Sequence, residues 1–182
     1  EKYLEGERIR VVLIEVNKET KGAQVLVSRA DATLVKRLFE KEVPEIFDGT
    51  VEIKAVAREA GSRTKIAVMS HNPDVDAVGA CIGTRGTRVS DIVNELGGEK
   101  MDIVDYSEDP AKFIAAALAP ATVLSVETAE DGSHVCKVTV PDSQLSLAIG
   151  NKGQNARLAA KLTGWKIDIK PESGFFGEEE EA

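Results

Sequence analysis

Two four-residue segments, Gly83-Thr84-Arg85-Gly86 and Gly150-Asn151-Lys152-Gly153, bracket a polar pair with glycines, and each pair contains one base. Glycine has no Cβ, so a bulky anion can approach the backbone N–H groups of such a loop closely. A stretch with helical periodicity follows each loop. The first N–H groups of a helix lack intrahelical partners, and its dipole is positive at that end. The cations of Arg85 and Lys152 stand beside these donors. Together these groups suit a phosphodiester backbone, which they would position without reading its bases. Ile82 and Ile149, one residue before each loop, offer an apolar floor on which bases could rest.

A single G-x-x-G also occurs as a plain helix–helix turn. Here the context repeats about 67 residues further on, as in a duplicated module. The first loop leads to Leu96, Gly98, Asp102 and Ile103, the second to Leu162, Gly164, Asp168 and Ile169. The copies differ in charge. Gln154, Arg157 and Lys161 lie three and four residues apart, on one helix face, with Asn155 in the same first turn. Arg88, after the first loop, shares its face with Asp91 and Glu95. If these faces flank a bound strand, the second copy pulls harder. Arg58, Arg63 and Lys65 cluster near a predicted hairpin and read as surface charge, or as an extension of the same path.

The elements that must position the loops can be read from periodicity. Asp31 is a candidate N-cap for a helix to about Glu42, with Leu34, Val35, Leu38 and Phe39 as its apolar stripe and Pro44 as its end. Val51 to Arg58 and Arg63 to Ser70 alternate as strands, with Val51, Ile53, Ile66 and Val68 facing a core. A short helix from Asp76 to Ile82, the loop, a helix to Leu96 and a strand through Met101 and Ile103 complete the unit. The same order returns from Pro110 to Lys170. The predicted class is α+β, helix-strand-strand-helix-helix-strand twice. So short a connection between copies predicts that they pack as one body. Arg8 to Val16 and Gln24 to Ser28 read as two further strands, too few for a domain.

The chain has 182 residues, 42% of them apolar and 4% aromatic, with a net charge of −8. That charge opposes indiscriminate nucleic-acid binding, so any such binding must rest on local patches. Glu172 and Glu178 to Glu181 carry much of the excess and predict a disordered acidic tail. Cys81 and Cys136 lack the spacing of a metal site and read as reduced core thiols. No apolar run is long enough for a membrane span. No G-x-x-x-x-G-K-[ST] loop occurs, and neither histidine is spaced for a nucleophile or a metal. Asp74 and Asp76 read as a helix-start turn. An enzyme is therefore not expected, nor is a cofactor or a metal; a nuclease or a protein-binding scaffold are the rival classes.

The repeated unit with its glycine loop looks like the KH fold, which clamps single-stranded RNA. The stretch from Val78 to Gly86 with Glu95-Leu96-Gly97-Gly98-Glu99-Lys100 closely resembles the first KH module of the NusA family of bacterial transcription factors. Ala148 to Ala159 with Leu162-Thr163-Gly164-Trp165 resembles its second, and Val43-Pro44-Glu45-Ile46 and Gly61 to Val68 also match. The resemblance covers about Gly6 to Lys170. It implies type II KH domains at 30–106 and 107–171, the last strands of an OB-fold RNA-binding barrel at 1–29, and a tail at 172–182. It further implies a non-catalytic, cytoplasmic, monomeric piece of a factor that binds nascent RNA and RNA polymerase and modulates pausing, termination and antitermination. RNA contacts are implied at Ile82, Gly83, Thr84, Arg85, Gly86 and Arg88. In the second copy they are implied at Ile149, Gly150, Asn151, Lys152, Gly153, Gln154, Asn155, Arg157 and Lys161.

Overall fold

The computed structural model describes residues 1–19, 21–22 and 24–174. Helix α1 (Ala32–Glu42) begins where Asp31 accepts a hydrogen bond from the Thr33 N–H at 2.8 Å. Leu34, Val35, Leu38 and Phe39 are buried along one face, at the 3–4 spacing of a helical stripe. Pro44 ends α1 but opens a one-turn helix, α2 (Pro44–Phe47), since a proline at a first-turn position gives up no needed N–H.

Strands β3 (Val51–Glu59) and β4 (Arg63–Ser70) form an antiparallel hairpin, and β5 (Lys100–Asp105) runs parallel to β4. A parallel neighbour needs a crossover. Helices α3 (Ala77–Ile82) and α4 (Thr87–Glu95) supply it and carry the first glycine loop between them. The second unit repeats this. Helix α5 (Pro110–Ala117) leads to β6 (Ser125–Thr128) and β7 (Val135–Val140). Helices α6 (Leu145–Ile149) and α7 (Gln154–Thr163) then cross over to β8 (Lys166–Pro171), parallel to β7. Upstream, β1 (Val12–Asn17) and β2 (Gln24–Ser28) form a two-stranded antiparallel ribbon. Arg29 ties the ribbon to α4 by donating to Glu95 O at 2.8 Å.

The two units share a wall. Along β4, Ile66 and Val68 enter the first core, while Ala67 belongs to the second core with Ile114, Leu118, Val138 and Leu158. A bulge between Ile53 and Ala55 shifts the phase of β3, so that Val56 rejoins the first core and Ala55 and Ala57 turn to the second unit. These small side chains let α7 lie against β3 and β4. The sheet of the first unit is thus covered on both faces. Cys81 and Cys136 are buried free thiols, and burial pushes the Cys81 thiol up to about 12.

In the cluster Arg58, Arg63 and Lys65, all three cations are paired, and the side chains of Arg58 and Lys65 are buried rather than surface charge. Arg58 and Glu99 form an ion pair whose side chains are 4% and 0% exposed. Arg63 and Lys65 share Asp102, at 2.8 and 3.0 Å, and Lys65 also donates to Ala119 O of the second unit at 2.6 Å. Burial lowers the Lys65 pKa from its ordinary value, against the pull of Asp102. Residues 172–174, expected as tail, are held by the second unit instead. Glu172 N–H donates to Val140 O and Ser173 N–H to the Asp142 carboxylate. Glu178 to Glu181 lie outside the described residues.

Candidate nucleic-acid interface

The two glycine loops have nearly the same backbone. Gly83, Arg85 and Gly86 take φ/ψ of 76/173, 54/29 and 73/16. Gly150, Lys152 and Gly153 take 80/172, 52/32 and 73/13. Arg85 and Lys152 are two of the three non-glycine residues with positive φ among the described residues. A side chain held in that region costs on the order of 1 kcal/mol, and such strain concentrates at functional sites. The strained conformation projects both cations from the loops. Thr84, Arg85, Asn151 and Lys152 are exposed, and each loop opens directly into the first turn of α4 or α7. Ile82 and Ile149 flank the loops, each 37% exposed.

The first glycine of each loop is forced by its surroundings. A Cβ on Gly83 would lie 2.6 Å from Arg88 Cγ, and one on Gly150 would lie 2.7 Å from Asn155 N. Both φ/ψ pairs also fall where only glycine is at ease. Gly153 is different, with nothing within 4 Å of a new Cβ. Gly150→Ala is therefore expected to cost about 2–3 kcal/mol and Gly153→Ala about 1 kcal/mol. Urea unfolding of the two variants checks this; equal losses would refute the steric account.

Arg88 and Asn155, expected to face RNA, instead brace the loops from behind. They occupy equivalent places under the first glycine. Arg88 donates to Ala80 O at 2.7 Å and pairs with Glu45 of α2 at 2.9 Å. Asn155 is 3% exposed and donates to Ala148 O at 2.9 Å and Leu118 O at 3.1 Å. A residue so buried has no surface to offer a strand.

Two residues of the expected basic face of α7 are also engaged elsewhere. Gln154 donates to Glu59 and to Ser62 Oγ, each at 2.7 Å, and Arg157 pairs with Glu59 at 2.5 Å. These bonds cross from the second unit to the hairpin of the first. Arg157, then Gln154, holds the Glu59 carboxyl down at about 2, so the pair is fully charged at neutral pH. Lys161 is exposed and adds to the positive field at Glu59. Arg88 and Arg157 are thus both paired, one on each expected face. Sequence reading also misses Glu59 and Ser62, whose only signal is a turn composition that carries no cross-unit distance.

Two family models cover most of the chain. The NusA-like first KH domain matches residues 29–106, and the NusA-like second KH domain matches residues 110–175. The chain belongs to the NusA family. Transcription termination/antitermination protein NusA of Bacillus subtilis is 61% identical over 173 residues, covering 95% of this chain and 46% of that protein. The protein of the same name from Halalkalibacterium halodurans is 60% identical, over 95% of this chain and 45% of its own length. The Thermus thermophilus protein is 52% identical over 170 residues, 93% of this chain and 44% of its own. The chain thus spans about half the length of these NusA relatives. Among solved structures, the crystal structure of APE1850 matches with a TM-score of 0.54 at 22% identity, covering 74% of this chain and 94% of that one, a likeness of fold alone. Both units are therefore KH domains of the NusA type. No helix among the described residues is long and apolar enough to cross a membrane, and no cluster there could hold a metal ion.

Proposed function

We propose that this chain binds single-stranded RNA along both KH domains, as the RNA-holding part of a NusA-type factor that modulates pausing, termination and antitermination. One observation carries the reading. Two loops of matching backbone, each presenting an exposed cation at a helix start, stand on one body with a shared core. Each clamp would hold about four nucleotides, and a strand reaching both would gain from the second contact being intramolecular. The working location is the cytoplasm. The other partner, RNA polymerase, would be engaged by the full-length factor, with this region acting as a monomer. The β1–β2 ribbon, whose Leu13 and Leu26 are each 56% exposed, fits the edge of an OB-fold barrel.

Fluorescence anisotropy tests the proposal with single-stranded RNA of about ten nucleotides, spanning two four-nucleotide clamps, and with the same sequence as a duplex. Single-stranded RNA should bind with an affinity that falls as salt rises. Equal binding to the duplex, or none to the single strand at low salt, would reject the proposal and favour a protein-binding scaffold.

A further inference from the structure

A cleft of about 350 Å³ lies at the junction of the two domains. Ser62, Arg63 and Lys100 line it from the first KH domain, and Leu147, Gly150 and Asn151 from the second. Its only charged lining residues are Arg63 and Lys100, both cations, in a chain whose net charge is −8. The buried wall behind adds to this, since Arg63 and Lys65 share the single carboxylate Asp102. Lys100 is exposed at the start of β5. It is the cleft cation left available, because Arg63 is held by Asp102 through two hydrogen bonds. The walls are fixed relative to each other by Gln154 on Ser62 and by Lys65 on Ala119 O, beside Pro120 at the cleft.

From this juxtaposition we infer that Lys100 of the first domain completes the glycine clamp of the second, holding a phosphate of the RNA strand where it passes between domains. The inference rests on the RNA reading above and adds a composite subsite to it. A phosphodiester entering the second loop from the first domain meets Asn151 and Gly150 on one side and the Lys100 ammonium on the other. Ser62 and Ser146 supply hydroxyl donors within the same cleft. No lining group offers base-sized apolar stacking on both sides, so the subsite holds backbone and reads no sequence. Because the cleft is pinned before RNA arrives, little conformational freedom is lost on binding.

Lys100→Gln and Lys100→Glu test this, with Lys36→Gln on the exposed side of α1 as the control for a lost surface charge. For single-stranded RNA of about ten nucleotides, Lys100→Gln should weaken binding roughly 3–10-fold and reduce the salt slope by about one, as expected for one lost phosphate contact. Lys100→Glu should weaken it further, and Lys36→Gln should leave both unchanged. Thermal unfolding should be the same throughout, since Lys100 is exposed. Wild-type binding with an unaltered slope in Lys100→Gln overturns the subsite and leaves the RNA reading standing. Failure of the wild type to bind the ten-nucleotide RNA overturns the RNA reading itself.

Discussion

Replacing Thr84 and Arg85 together by aspartate, or Asn151 and Lys152 together by aspartate, should each lower affinity for single-stranded RNA on the order of 100-fold near 0.1 M salt. A charge-assisted hydrogen bond contributes about 1.5–3 kcal/mol, and each pair replaces such a bond by repulsion between carboxylates and phosphate. The loss of one clamp also removes the gain from an intramolecular second contact. The four side chains are exposed, so the fold should not suffer. Aspartate also tolerates the left-handed conformation of Arg85 and Lys152 better than the residues it replaces. Circular dichroism and melting temperature should therefore stay at wild-type values while anisotropy titrations shift. Because Arg88 is paired to Glu45 and Arg157 to Glu59, the two variants should lose comparable affinity. Unchanged affinity in both, with native circular dichroism, would reject the glycine-loop clamp. A much larger loss at one loop would restore the asymmetry suggested by composition.

The largest effect on stability is expected at Glu99. Its carboxylate accepts from Arg58 Nε and Nη2, from Gly61 N–H at 2.7 Å and from Thr64 Oγ1 at 2.7 Å. The residue is 1% exposed. Glu99→Ala leaves the Arg58 guanidinium buried without its counter-charge, and breaking one side of a buried pair costs about 3–5 kcal/mol. That is a large part of the total stability of an ordinary domain, roughly 5–15 kcal/mol. Arg58→Met with Glu99→Leu should recover most of the loss, since an apolar pair of similar bulk needs no partner. Urea unfolding measures both. A single-variant loss under about 1 kcal/mol would show that water reaches the pair and that the network is not closed. The hairpin Glu59 to Arg63 is anchored here, and the same hairpin receives Gln154 and Arg157 from the second domain. Loosening Glu99 should therefore also loosen the seam between domains.

Arg58, Arg63 and Lys65 look like an exposed basic hairpin in one dimension. Their acceptors, Glu99 and Asp102, are some 40 residues away in sequence, so no local pattern could pair them. Asn155 presents the same difficulty. A polar residue in the first turn after a glycine loop is as well suited to RNA as to a brace, and only its burial against Leu118 and Ala148 decides. The phase shift at the β3 bulge is invisible to simple alternation, and it is what turns Ala55 and Ala57 toward α7.

The sequence by itself determined the order of elements, the duplication, the two loops and the family. Those features depend on local chemistry: glycine's freedom at positive φ, the periodicity of buried side chains, and Asp31 and Pro44 as helix signals. The tertiary structure alone decided which charges remain free. A cation's availability depends on what lies across from it, and here that is set by the packing of α7 on the first sheet. Packing pairs Arg157 and Arg88 with Glu59 and Glu45, and it buries Asn155. It leaves Arg85 and Lys152 exposed on their loops, and it brings Lys100 of one domain to the clamp of the other.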